Sequence, residues 1–211
     1  MRHNNCVCDR ESYRILKPVG KFLLKFAYRI KVEGLENVSE RGGLILASNH
    51  VAALDPVMIG CYVRRQCHFM AKSEIFKNRL IAAFLRSLNA FPVERGKSDT
   101  KALDYAAKVI TDGNILGIFP EGGLQKDLVI RRAKNGVSYL ARKTGADVLP
   151  VCIYKEKSNR GIRKKITLRF GKVIRNEEFS FGKDNNQAEI KKASGLIMER
   201  ITELFEKGHL F

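Results

Sequence analysis

The sequence predicts an α/β layered fold with a largely parallel central sheet and an amphipathic helix in front of it. Three observations carry this. Short apolar runs of strand length alternate with longer segments of helical period, and such alternation lays crossover helices on the faces of a parallel sheet. The composition, 45% apolar and 29% charged over 211 residues, suits one domain with a sizeable core. No repeat or low-complexity linker divides the chain. It is therefore read as a tail and basic helix over 1–31 and a single domain over 32–211.

In order along the chain, residues 13–30 read first as a helix. Lys17, Lys21, Lys25 and Arg29 recur every fourth residue on one side. Ile15, Leu16, Val19, Phe22, Leu23, Phe26, Ala27 and Ile30 take the other. Pro18 fits only in the first turn of such a helix. The apolar face either lies in a membrane interface, with the lysines at the head groups, or packs on the core. Periodicity does not separate the two. A strand near 29–33 follows. The run Leu44-Ile45-Leu46-Ala47 reads as a buried strand over 43–48. Asp55-Pro56 then starts a helix near 56–64, with Asp as N-cap and Pro at the first helical position. A strand near 67–71, a helix over 73–87 and a strand near 89–93 come next. Ser98-Asp99 caps a helix over 99–111 and Gly113 follows its end. A strand near 115–119, a helix over 134–143, strands near 148–153 and 166–170, and a last helix over 187–207 complete the alternation.

Composition narrows the partners. The formal net charge is +17. Residues 126–175 hold 15 Lys/Arg against Asp127, Asp147 and Glu156, so much of the excess lies in one stretch that includes the basic loop 155–165. Such a patch suits anionic lipid, a polyphosphate carrier, an acidic carrier protein or nucleic acid, or is simply a solvated face. The five cysteines are odd in number and scattered, which reads as reduced thiols rather than a disulfide frame. No Cys/His set has zinc spacing, so no metal site is expected. Residues 1–12 are polar, so no signal peptide is expected, and no run of about 18 apolar residues is present to span a bilayer.

The segment Ser48-Asn49-His50-Val51-Ala52-Ala53-Leu54-Asp55-Pro56 carries the clearest chemistry. It puts His50 on a strand-to-helix turn with Asp55 five positions on. The carboxylate accepts the proton of one imidazole nitrogen and leaves the other as an acceptor, the arrangement of a general base. The plainer reading is a capping aspartate and a loop histidine. Further segments follow in order: Phe69-Met70-Ala71-Lys72-Ser73-Glu74, Ala90-Phe91-Pro92-Val93-Glu94-Arg95-Gly96, Ile118-Phe119-Pro120-Glu121-Gly122-Gly123 and Val148-Leu149-Pro150-Val151. His50, Arg95 and Glu121 all fall just after predicted strands, the edge of an open α/β sheet where ligands bind.

This series, from about residue 32 to 175, resembles the four motifs of the lysophosphatidic acid acyltransferase family of glycerolipid acyltransferases. The resemblance implies a glycerolipid-acyltransferase-like fold over 32–211, with His50 and Asp55 catalytic. It implies that Arg95 and Lys72 bind the acceptor's phosphate and that Glu121, Gly122 and Gly123 shape the acceptor site. In one place the chain departs from the pattern. The family's third motif continues Glu-Gly-Thr-Arg-Ser, whereas here it reads Glu121-Gly122-Gly123-Leu124-Gln125. Lys126, Arg131, Arg132 or Lys134 is left to supply the missing cation.

The implied reaction is O-acyl transfer from acyl-CoA or acyl carrier protein, as co-substrate and with no other cofactor, to the free hydroxyl of lysophosphatidic acid, giving phosphatidic acid for phospholipid synthesis. The chain has no Gly-x-Ser-x-Gly elbow, so direct transfer without an acyl-enzyme is the simpler mechanism. Residues 75–85, rich in large apolar groups, read either as the lining of an acyl-chain tunnel or as core. The expected partners are the lysophospholipid, the thioester donor (acyl-CoA or an acidic acyl carrier protein) and a membrane surface with anionic lipid. The expected place is the cytoplasmic face of the cell membrane, peripheral or monotopic. Two alternatives stay open. One is the same chemistry on glycerol-3-phosphate or a different lysolipid. The other is a non-catalytic basic protein of membrane or nucleic acid; against nucleic acid, no P-loop, helix-turn-helix, zinc finger or RNA-binding aromatic signature is present.

Overall fold

Leu44, Ile45, Leu46 and Ala47 are all buried, as a strand covered on both faces requires. Leu44 and Leu46 pack into one apolar core, Ile45 and Ala47 into another. The strand holding them lies inside a seven-stranded sheet. The structure is a computed structural model that describes residues 10–94, 99–125, 129–155, 163–182 and 186–209.

The strands are β1 (Tyr28–Glu33), β2 (Leu44–Ser48), β3 (Cys67–Lys72), β4 (Ala90–Val93), β5 (Ile115–Ile118), β6 (Asp147–Lys155) and β7 (Lys164–Phe170). The helices are α1 (Arg10–Ala27), α2 (Asp55–Tyr62), α3 (Arg79–Ser87), α4 (Thr100–Thr111), α5 (Gly136–Thr144) and α6 (Gln187–Glu206). Across the sheet the order is β1-β7-β6-β2-β5-β3-β4. All neighbours run parallel except β6 and β7, which are antiparallel. The core of α1 and α2 covers one face and that of α4, α5 and α6 the other. The expected α/β class and largely parallel sheet are therefore found, with β1 and β7 as a reversed pair at one edge.

Several boundaries differ from expectation. Residues 73–87 are not one helix. A 3₁₀ turn (Ser73–Lys77) comes first, and Asn78 then caps α3 by accepting from the N–H groups of Leu80 and Ile81. A local Asn–backbone bond won over continuous helical periodicity. The first helix ends at Ala27, so Arg29 and Ile30 belong to β1, and the expected division after residue 31 falls within that strand. Pro18 sits mid-helix, not in the first turn. It costs α1 an internal hydrogen bond, and tertiary anchors compensate. Tyr13 donates its hydroxyl to the carbonyl of Gly60 at 3.2 Å, and Lys17 Nζ donates to that of Val63.

α1 is turned unlike an ordinary surface helix. Lys17 and Lys21 lie against α2 and its end, Lys21 over the Tyr62 ring at 4.7 Å. Leu24 and Tyr13 are buried. Phe22, Leu23 and Phe26 are 61%, 61% and 67% exposed. Among the described residues, no helix is long and apolar enough to cross a membrane.

Candidate active site

β2 ends at Ser48, and the chain must turn there to enter α2. Asn49 steadies the turn by extending the β2–β6 ladder with its side chain. Its amide donates to the carbonyl of Ile153 at 3.0 Å and accepts the N–H of the same residue at 2.8 Å. His50 comes next, and its backbone is held at both polar atoms. Its N–H donates to Glu121 Oε2 at 3.1 Å, and its carbonyl accepts from Gln125 N at 2.7 Å. The imidazole stacks on Phe119, with ring centroids 4.0 Å apart.

Asp55 completes the arrangement. Oδ2 accepts from the N–H groups of Val51 and Ala52 at 2.7 and 2.8 Å and lies 2.9 Å from His50 Nδ1. It is not the N-cap the sequence suggested: the cap is Leu54, and Asp55 is the first residue of α2. From there the carboxylate reaches back to close the turn instead of capping forward. It is fully buried and sits in the helix's first turn, where the dipole favours negative charge. An acceptor with two backbone donors already in place assigns the hydrogen to His50 Nδ1. Among the described residues, the hydrogen bonds of the ring end there. Nε2 keeps its lone pair.

His50 forms part of the lining of an apolar cavity of about 590 Å³, within the size range of small-molecule sites. Val19 and Leu23 of α1, Leu54 at the head of α2, Phe69 of β3 and Phe84 of α3 also line it. Ile75 and Leu85 take part too, so the two ends of the apolar segment 75–85 face a cavity while Leu80 and Ile81 between them are exposed. Gly117 makes room for the Phe69 ring, since a Cβ there would fall 2.1 Å from it. Cys61 and Cys67 border the same space. Burial pushes the Cys67 thiol up to about 12 and the Cys61 thiol upward. Both stay protonated at neutral pH and are poor nucleophiles toward a thioester.

The other expected site residues distribute as follows. Lys72, at the end of β3, lines the cavity and pairs with Glu74 at 2.9 Å. That lysine holds the Glu74 carboxyl down at about 2. Glu121 is buried, and both of its oxygens are engaged by backbone: Oε2 by His50 and Oε1 by Arg131 N at 2.9 Å. Burial, partly offset by these two donors, raises its pKa. Gly122 has φ 71°, and an added Cβ would meet the side chain of Lys134 at 2.7 Å. Glycine thus serves the left-handed turn and the passage of Lys134. Gly123 continues that turn, its carbonyl accepting from Gln125 Nε2 at 3.4 Å. Arg95 and Lys126 lie outside the described residues, as does most of the basic loop 155–165. Of the candidate replacement cations, Lys134 crosses the third motif while Arg132 lines a different groove.

Asn49 and Phe119 were not among the expected site residues. Both lie inside the quoted motifs, and only the fold shows that one fastens the histidine's turn and the other supports its ring.

Comparison with known proteins places this fold in a family. The family model described as Acyltransferase matches residues 29–154. A 1-acyl-sn-glycerol-3-phosphate acyltransferase of Bacillus subtilis (strain 168) is 28% identical over 172 residues, 80% of this chain and 85% of that one. Its counterpart in Borreliella burgdorferi is 31% identical over 148 residues, covering 69% of this chain and 59% of the other. In fold, the chain is similar to the crystal structure of the 1-acyl-sn-glycerophosphate (LPA) acyltransferase PlsC from Thermotoga maritima, with a TM-score of 0.67 and 24% identity over 93% of this chain and 83% of that one. The matched family region runs from within β1 to within β6 and holds His50, Asp55, Lys72 and Glu121, so the chain belongs to the Acyltransferase family.

Proposed function

We propose that this protein acylates the free hydroxyl of lysophosphatidic acid, taking a fatty acyl group from the thioester of CoA or acyl carrier protein and releasing phosphatidic acid and free thiol. The observation that carries the reading is His50 Nε2, held with its lone pair at the wall of an apolar cavity sized for an acyl chain. Apolar walls hold the chain of a fatty thioester, and the few polar groups near His50 and Lys72 set its orientation.

The chemistry follows from the geometry. The acceptor's hydroxyl oxygen attacks the thioester carbonyl as His50 Nε2 takes its proton. Asp55 fixes the ring's tautomer and stabilises the imidazolium. The tetrahedral intermediate expels the thiolate, which takes the proton back from His50. The base is then ready for the next cycle. Neither cavity cysteine is ionised to compete as an acyl carrier, which favours transfer within a ternary complex. Lys72 and Arg95 are assigned to the acceptor's phosphate, so that its hydroxyl is placed at His50.

We propose that the protein works at a membrane surface, on the cytoplasmic leaflet where the donor is available, a reading that its exposed apolar residues support. Phe22, Leu23 and Phe26 of α1 and Leu80, Ile81 and Phe84 of α3 stand exposed on two helices that border the cavity. A face of this kind sinks into the acyl boundary, and the net positive charge attracts anionic head groups. An acyl chain then passes from the bilayer into the cavity without crossing water.

A second acceptor is favoured by one residue. Leu124 lines the cavity where the family pattern has an arginine, which suits glycerol-3-phosphate or another lysolipid. One experiment tests both readings. Purified protein is given each acceptor with each thioester, and the acylated product of that acceptor and free thiol are measured. Product from lysophosphatidic acid with a thiol released for each acyl group transferred supports the first reading. Product only from another acceptor replaces it with the second.

A further inference from the structure

A second concavity lies on the opposite face of the sheet from the apolar cavity. It is a groove of about 410 Å³ between the loop after the third motif and the first half of α6. Arg132, Lys191 and Lys192 line it, above a floor that includes the buried Ser194 and Met198. Among the described residues, no carboxylate pairs with any of the three cations. The nearby acid of α6, Glu189, is turned away: it accepts from Gly182 N at 2.9 Å and faces Arg142 at 3.8 Å. Three positive charges thus share a small concave site with no carboxylate paired to them among the described residues. A fork of guanidinium donors with two ammonium point charges is the chemistry that recognises phosphate.

The groove is tied to the catalytic turn through two hydrogen bonds. Arg132 follows Arg131, whose N–H donates to Glu121 Oε1, and Glu121 Oε2 accepts from His50 N. The same loop is fixed again two residues on, where Lys134 N donates to the carbonyl of Pro120 at 2.7 Å. A ligand that bridges the two cavities would be anionic at one end, apolar at the other, and joined by a long thin arm. An acyl thioester of CoA has this form. Its nucleotide carries the phosphates, its pantetheine arm is slender, and its acyl chain is apolar.

We infer that the groove lined by Arg132, Lys191 and Lys192 binds the phosphorylated nucleotide of acyl-CoA, an inference that rests on the acyltransferase reading. Its concave form and small volume suit a nucleotide better than the broad surface of a carrier protein. The nucleotide held there leaves the thioester at His50 and the acyl chain in the apolar cavity. Donor and acceptor phosphates are then bound by separate cation sets, which lets both substrates occupy the site together.

The test compares wild type with Arg132→Gln/Lys191→Gln/Lys192→Gln, and with Lys191→Arg/Lys192→Arg as a charge-retaining control. CoA and adenosine 3′,5′-bisphosphate are titrated directly by calorimetry, and kinetics are measured with acyl-CoA and with acyl carrier protein. Loss of about tenfold or more in CoA affinity, a matching rise in KM for acyl-CoA, and no change in acceptor KM or kcat are expected, because each lost charge-assisted bond is strong. The arginine control should keep wild-type affinity, which separates loss of charge from loss of fold. Unchanged CoA affinity in the folded triple variant overturns the inference. So does a rise in KM confined to acyl carrier protein, which would make the groove a carrier-protein contact. If wild type transfers no acyl group to any acceptor, the acyltransferase reading fails by itself, and the CoA titration still decides the groove.

Discussion

Glu121 accepts the backbone N–H of His50 through one carboxylate oxygen and that of Arg131 through the other, at 3.1 and 2.9 Å. One buried side chain thereby fastens the turn that bears His50 to the loop that follows the third motif. The residue is tied to backbone on both sides, so its effect on the reaction runs through the placement of His50.

Glu121→Gln should therefore cost stability as well as activity. A glutamine oxygen can accept from one of the two N–H groups, while its NH₂ faces the other. A buried donor left without a partner costs about 1–3 kcal/mol. The carboxyl's raised pKa also gives a pH signature. A folded-state value above the unfolded one, near 4.5, means that the native chain binds the proton more tightly. That contribution is complete below about 4.5 and is lost as pH rises through the folded value. The stability gap between wild type and Glu121→Gln should widen as pH falls from 7 toward 4.5. Denaturant unfolding at a series of pH values measures it, and a gap that narrows instead would contradict the assignment.

His50→Ala should lower kcat by roughly 10²–10⁴-fold with little change in melting temperature. Asp55→Asn should be about as inactive, but less stable. Its Oδ2 holds the Val51 and Ala52 N–H groups as well as His50, so an NH₂ in that place leaves a donor facing donors. A loss of about 1–3 kcal/mol is expected. A folded His50→Ala protein with near-normal turnover would remove His50 from the chemistry.

Much of this could be read from the sequence because its signals are local. The strand at 44–47 is covered on both faces, and its unbroken apolar run says so. Asp99 caps α4 through Ala102 N as its position before a periodic segment suggests. What was not legible depends on contacts distant in sequence. Asn49 bonds to Ile153, 104 positions away, and the residue type alone names no partner. Glu121 reads as a site carboxylate, yet its oxygens are taken by backbone from two segments. α1 shows the same limit. Its two faces are plain in the sequence, but that the basic side meets α2 while Phe22 and Phe26 face outward follows from the Lys17–Val63 and Tyr13–Gly60 bonds.

Lys72→Met should raise the acceptor's KM about tenfold and leave that of the donor nearly unchanged, since a phosphate is expected to replace Glu74 as the lysine's partner. The existing Lys72–Glu74 pair is exposed, so its loss should barely move stability. Glu74→Gln is the complementary variant. It frees the ammonium and should lower acceptor KM by up to about fivefold, the scale of an exposed ion pair. Equal changes in both substrates' KM for Lys72→Met would indicate a structural part instead.

Membrane binding should depend more on apolar side chains than on the lysine stripe. Lys17 donates to the Val63 carbonyl and Lys21 lies over Tyr62, so at least two of the four regularly spaced cations already contact protein. Phe22 and Phe26 form an exposed edge-to-face pair with centroids 4.9 Å apart. Leu80 on α3 is 83% exposed. Fully burying such a side chain is worth about 1.5–3 kcal/mol, so even partial insertion of two changes partitioning about tenfold or more. Phe22→Ser/Phe26→Ser and Leu80→Ser/Ile81→Ser should each lower vesicle binding by that factor. These four residues lie outside the cavity lining, so activity on acceptor dispersed in detergent should persist. Sedimentation with neutral and anionic vesicles across a salt series measures the balance, because exposed charge attraction is screened over about 8 Å at physiological salt. Residual binding to neutral vesicles at high salt that the serine variants lose marks apolar insertion. Binding that vanishes with salt and ignores the serine variants would return the role to the basic surface.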